Sequence, residues 1–171
     1  MEEQFLWALF ESAAKSGNWE DLIRPFPASY LDTTGQKDPK LLLNEIENRQ
    51  NDLKNWLTTT FPKLQQCLTN GYIQNYFSRK KDYRPNLVLS IHCQDAKEMR
   101  FHKHLGTTGK STYALHGSKP ENFFSILRHG LVNNLNKRDL YGSGTYLSTE
   151  ITVALQFAVP QKVNFQVKYF G

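Results

Sequence analysis

Two short segments of this chain carry residues whose types and order suit the recognition of a small polar ligand. The first is Tyr113-Ala114-Leu115-His116-Gly117-Ser118, a β-type run that ends in a ring nitrogen, a bare backbone and a hydroxyl. A glycine there lets a ligand approach the backbone closely, and its N–H and C=O can pair with an amide. The second is Tyr141-Gly142-Ser143-Gly144-Thr145-Tyr146-Leu147-Ser148, a glycine-flexed turn that delivers an aromatic ring. Aromatic rings position planar ligands by stacking, at roughly 0.5–1.5 kcal/mol beyond area burial.

Other motifs fail their own chemistry. Gly106-Thr107-Thr108-Gly109-Lys110-Ser111-Thr112 has a P-loop look, but the position five residues before Gly109 is His104 and no long helix follows the lysine. It is expected to be a hairpin loop between strands. His102 and His104 would share one face of a strand, yet no third and fourth ligand follow at zinc spacing, so no metal site is expected. The chain has no Gly-x-Ser-x-Gly elbow for a hydrolase. Gly142 and Gly144 lack the third glycine of a dinucleotide fingerprint.

The elements that must position the two segments read in two blocks. In residues 2–16, Phe5, Leu6, Leu9, Phe10 and Ala13 recur at helical spacing, and Gly17 stops them. Pro25 and Pro27 exclude a continuing helix. Asp38-Pro39 reads as an N-cap with proline at the first helical position, ahead of Leu42, Leu43 and Ile46. After a break near Asn51 come Leu53, Trp56 and Leu57, and Pro62 is expected to open one more short helix through Leu64, Cys67 and Leu68 to Gly71. Beyond Pro85 the period changes. Residues 87–91 and 112–115 read as strands, and Val163, Phe165, Val167 and Tyr169 alternate with polar residues as a half-buried strand should. Between them, a capping box at Ser118-Lys119-Pro120-Glu121 opens a helix with Phe123, Phe124, Ile126 and Leu127 that stops at Gly130. Another helix starts near Ser148, carries Ile151, Ala154, Leu155 and Ala158, and meets Pro160. The polar run Lys80-Lys81-Asp82-Tyr83-Arg84-Pro85 divides the blocks. The expected fold class is α+β, with a helical N-terminal domain over 1–85 and an α+β domain over 86–171.

Composition agrees with a globular protein and locates the charge. The 171 residues include 21 Lys+Arg and 16 Asp+Glu, for a net charge of +5. Residues 1–85 hold 11 basic and 11 acidic side chains, residues 86–171 hold 10 and 5, so the whole excess lies in the second half. Such an excess suits an anionic ligand, and equally an ordinary charged surface. Two cysteines, Cys67 and Cys93, are too few for a disulfide framework. No run approaches the ~20 apolar residues of a membrane span. The acidic start, Met1-Glu2-Glu3-Gln4, has no signal-peptide order. A soluble intracellular protein is the expectation.

In their order and separation, the two ligand-suited segments resemble the catalytic domain of the PARP-type (diphtheria-toxin-like) ADP-ribosyltransferases. There a His-Gly strand and a Gly-x-Tyr segment form the nicotinamide-binding wall. The link over 121–131 is of the family's type as well. Arg24-Pro25-Phe26-Pro27-Ala28-Ser29-Tyr30 and Leu135-Asn136-Lys137 further resemble the mono-ADP-ribosylating branch of the family that is tail-anchored in the endoplasmic reticulum. That resemblance runs, with gaps, over about residues 24–158.

The resemblance implies a partial ADP-ribosyltransferase catalytic domain, mainly antiparallel sheet with flanking helices, over 86–171. It implies NAD as substrate, acceptor proteins as partners, no metal and no nucleic acid. The reaction is of glycosyltransferase type, moving ADP-ribose to a protein side chain and releasing nicotinamide. His116 would bond a ribose hydroxyl, the Gly117 backbone would hold the carboxamide, and Tyr146 and Phe157 would stack on the nicotinamide. Ser118 would assist, or serve as a helix N-cap. Lys137 and Arg138 would lie near the pyrophosphate, or in a solvated loop.

The chain also departs from the family pattern. Where many members carry a carboxamide-binding serine, the matching residue is Ala154. The third signature position, glutamate in polymerising members, would fall beyond Gly171. Polymer formation is therefore not expected, and a truncated, non-catalytic NAD- or ADP-ribose-binding or protein-interaction module stands as the alternative. The resemblance implies the cytoplasmic face of the endoplasmic reticulum, reached through a C-terminal anchor absent from this chain.

Overall fold

The computed structural model describes residues 2–28, 31, 34, 35, 37, 50–61, 64–66, 88–92, 95–132 and 142–159. Those residues form six helices and two short strands, compatible with an α+β fold. In chain order they are α1 (Glu2–Ala14), α2 (Trp19–Leu22), α3 (Gln50–Thr60), β1 (Leu64–Gln66), β2 (Leu89–Ile91), α4 (Asp95–Thr108), α5 (Pro120–His129) and α6 (Ile151–Leu155).

The core is built by α1 lying on α5, with α2, α3 and β1 around them. The helical spacing of Leu6, Leu9, Phe10 and Ala13 turns one face of α1 inward, and all four are buried. Phe124 of α5 meets that face: its ring lies 5.2 Å from Phe10 and 4.4 Å from Phe61, in tilted geometries that aromatic pairs favour. Burying a side chain of this size contributes about 1.5–3 kcal/mol. One apolar cluster thus joins the first half of the sequence to the second.

Helix α5 positions the site, because it starts three residues after Gly117. Pro120 at its first turn needs no N–H partner, and Gly130 closes it at φ +82°, a conformation glycine adopts without strain. Its last turn carries Arg128 and His129, which complement the helix dipole. The Arg128 guanidinium donates to the Thr60 carbonyl at the end of α3, and His129 Nε2 donates to the Arg24 carbonyl at 2.8 Å. A carbonyl at a helix end lacks an intrahelical donor, so the Arg128 bond satisfies a group that α3 leaves open. These bonds lock the C-terminal end of α5 onto the N-terminal half.

The structure corrects several readings of the sequence. Leu64, expected in a short helix, lies in a strand: residues 64–66 are β1, antiparallel to β2 with Leu64 opposite Ile91 and Gln66 opposite Leu89. A partner strand distant in sequence decides there, and strand pairing overrides a short apolar spacing that both periods fit. Residues 106–108 are not a hairpin loop but the last turn of α4, followed by chain without regular secondary structure over 109–114. In residues 112–115 only Leu115 pairs, as an isolated bridge to Ser148. Ser118 is not the N-cap that the expected capping box requires. Lys119 is the N-cap of α5, with no side-chain cap bond.

Asp38-Pro39, Leu42, Leu43, Ile46, Cys67, Leu68, Gly71, the polar run 80–85, residues 135–138, Pro160 and the strand expected at 163–169 lie outside the described residues. No described helix is long and apolar enough to cross a membrane.

Candidate functional site

The two segments singled out by their chemistry lie side by side. Leu115 and Ser148 form an antiparallel bridge, with Leu115 N–H donating to Ser148 O at 2.7 Å and Ser148 N–H to Leu115 O at 3.0 Å. This pairing, across more than thirty residues of chain, sets His116 beside Tyr146. His116 Nδ1 lies 3.1 Å from the Tyr146 carbonyl oxygen. A carbonyl can only accept, so the bond requires the proton on Nδ1. In the neutral ring Nε2 is then an acceptor, ready for a hydroxyl donor.

Tyr146 is fixed at both ends. Its carbonyl holds His116, and its hydroxyl donates to Gly142 O at 2.5 Å, closing the turn on itself. Gly142 has φ +95°, which explains a glycine at the start of this turn. The ring is 40 % exposed and Phe157 is 45 % exposed, so both aromatic residues keep surface available for a planar ligand. The turn passes into α6 through Ser148, whose Oγ accepts from Glu150 N–H at 2.9 Å.

Gly117 is required for a reason the sequence did not disclose. A Cβ built on it would overlap the Ala154 carbonyl oxygen, with the carbonyl carbon at 2.7 Å and Ala158 N at 3.3 Å. The backbone of α6 therefore occupies the space a side chain would need. The Ala154 carbonyl also accepts the Phe157 N–H at 3.1 Å, which ties the second aromatic to the same contact.

Ser118 has a partner other than the expected cap: its Oγ accepts from Asn122 Nδ2 at 2.9 Å. Asn122 is thus a supporting residue missed in the sequence, although its position four residues on along α5 was a visible cue. Arg128 and His129 were missed too, because their partners Thr60 and Arg24 lie 68 and 105 residues away. His102 and His104 sit on α4, not on a strand, and two residues apart on a helix they point to different sides. Among the described residues no three His, Cys, Asp or Glu gather as a metal site would require.

Comparison with known proteins decides the family. The description "Poly(ADP-ribose) polymerase catalytic domain" matches residues 68–167, more than half of the chain. The chain belongs to the PARP catalytic-domain family. Protein mono-ADP-ribosyltransferase PARP16 of Mus musculus is 31% identical over 178 residues, covering 88% of this chain and 53% of that protein. PARP16 of Homo sapiens is 30% identical with the same coverage. Protein mono-ADP-ribosyltransferase PARP8 of Mus musculus is 38% identical over 81 residues, covering 44% of this chain and 9% of the relative. The chain thus spans about half the length of the PARP16 relatives. The PARP match includes both segments of the site, residues 113–118 and 141–148, together with α5 and α6.

Proposed function

We propose that this chain carries the NAD-binding part of a protein mono-ADP-ribosyltransferase, which moves ADP-ribose from NAD to a protein side chain and releases nicotinamide. The observation that carries the reading is the His116–Tyr146 contact beside Gly117, made by segments far apart in sequence. In this reading His116 Nε2 accepts from a ribose hydroxyl. The Gly117 N–H and C=O pair with the carboxamide, and Tyr146 and Phe157 hold the nicotinamide ring. Ser118, held by Asn122, assists with its hydroxyl.

The chemistry asked of these groups is modest. The bond from the ribose anomeric carbon to the pyridinium nitrogen breaks with its electron pair going to the ring, so a cationic leaving group departs neutral. No general acid is needed. The ribose passes through an oxocarbenium-like transition state, as in glycoside hydrolysis. The acceptor side chain then bonds to the anomeric carbon and gives up a proton. Orientation is the main contribution of the residues named above.

Incubation with labelled NAD and a panel of acceptor proteins tests the proposal, using both this chain and a form extended to the relatives' full catalytic length. Absence of transfer by the extended form would overturn it. The second reading is a non-catalytic module that binds NAD or ADP-ribose through the same wall of His116, Gly117 and Tyr146, whose pairing concerns binding alone. It predicts thermal stabilisation by a non-hydrolysable NAD analogue, with no nicotinamide released when NAD itself is supplied. The resemblance to the tail-anchored branch supports residence at the cytoplasmic face of the endoplasmic reticulum. Fractionation of cells expressing the complete gene product checks this.

A further inference from the structure

Helix α4 is built unlike the rest of the described protein. Over residues 96–108 every side chain is exposed except that of Leu105, including Met99 at 72 % and Phe101 at 57 %. It takes no part in the apolar core. Helices of about 12–15 residues are marginal in water without tertiary support, so a 14-residue helix with no buried face gains from a partner along one side.

Its charges are sorted. Lys97, Arg100 and His104, at i, i+3 and i+7, form a stripe along one side, with Lys103 at its edge and Phe101 and Leu105 beside it. Glu98 projects elsewhere and faces His102, with Oε1 3.8 Å from Nε2. Among the described residues no carboxylate lies within ion-pair distance of Lys97, Arg100 or Lys103. The helix ends at Thr108, and the chain then runs through residues 109–114 directly into Leu115 and His116. Eight residue steps from Thr108 to His116 reach at most roughly 28 Å.

We propose that the Lys97–Arg100–His104 face of α4 docks an acidic polypeptide segment of the acceptor protein and so holds that protein beside the site. This rests on the transferase reading above for its purpose, though not for the binding itself. The stripe rises roughly 10 Å along the helix, a length that about three residues of extended peptide match. It contains a single aromatic residue, Phe101, whereas single-stranded nucleic acid is held by several stacking rings in a basic groove. Met99 and Phe101 project to different sides, so the helix has no continuous apolar face to lay into a bilayer.

Binding of a fluorescein-labelled oligo-glutamate peptide to the full chain, followed by anisotropy, tests the face directly. The expected result is binding that weakens with salt and falls at least roughly tenfold in Lys97→Gln/Arg100→Gln/Lys103→Gln. Glu98→Gln, on the other side of α4, is expected to leave it unchanged. Circular dichroism of each variant separates loss of the face from loss of the helix, and the single Arg100→Gln serves where the triple variant unfolds. Equal loss in Glu98→Gln, or no binding by the parent chain, overturns the proposal. So does a preference, sensitive to the same residues, for an RNA oligonucleotide or a phosphatidylserine vesicle. Stabilisation by an NAD analogue is measured in parallel: its absence with peptide binding intact would remove the transferase reading and leave the docking face standing.

Discussion

The α1–α5 interface and the His116–Tyr146 turn are stabilised in opposite ways. The interface buries aromatic and aliphatic side chains almost completely, with Phe10 at 0 % and Phe124 at 1 % exposure. The turn leaves its aromatic residues open and is shaped by backbone pairing, two hydrogen bonds of Tyr146 and the absence of a side chain at 117. A core holds its geometry by excluding water, so its cost of damage is large and unspecific. A binding wall must keep surface exposed, so its geometry rests on a few directional contacts. Helix α5 links the two, because its buried face is in the core and its first residue is three positions from Gly117.

Four substitutions can break or sharpen that contrast. Phe124→Ala should be the most destabilising, by about 3–5 kcal/mol, read from urea unfolding. Gly117→Ala should follow, at about 1–3 kcal/mol as over-packing, because the Ala154 carbonyl must move. It should also abolish the thermal shift produced by an NAD analogue. His116→Ala should lose about 0.5–1.5 kcal/mol, one hydrogen bond to the Tyr146 carbonyl, with loss of the same ligand shift. Tyr146→Phe removes the hydroxyl's bond to Gly142 O and should have the smallest stability effect, about 1 kcal/mol or less. Stacking should survive in that variant, so the ligand shift should be reduced and not abolished. If ligand response instead tracked stability through the series, the two regions would not be distinct in kind. A further observable is the His116 ring: nitrogen chemical shifts should report the proton on Nδ1, and the opposite tautomer would remove the acceptor assigned to Nε2.

Much of the second region was legible in the sequence because its signals are local. His116-Gly117, Gly142 and Tyr146 were identified from residue type and order, and helix α5 from its apolar spacing and its bounding proline and glycine. The helix–stop pattern of α1 was readable for the same reason. The failures had two sources, a distant partner in one case and local competition in the others. Leu64 lies in a strand because Ile91 is opposite it. Residues 106–108 extend α4 where a hairpin was expected, and Ser118 takes Asn122 as its partner in place of the helix N-terminus.

The sequence by itself therefore determined the menu of groups: an imidazole, a glycine, a hydroxyl and two aromatic rings, in an order that resembles the PARP-type domain. It also determined that the positive excess would lie in the second half. Only the tertiary structure decided that His116 donates to Tyr146, that α6 fills the space over Gly117, and that α4 displays its cations unpaired by carboxylates on that face. Residue type sets which bonds a group can make. Which of them it makes depends on what lies within about 3 Å, and chain segments a hundred residues apart are brought to that distance only by burying the apolar surface they share.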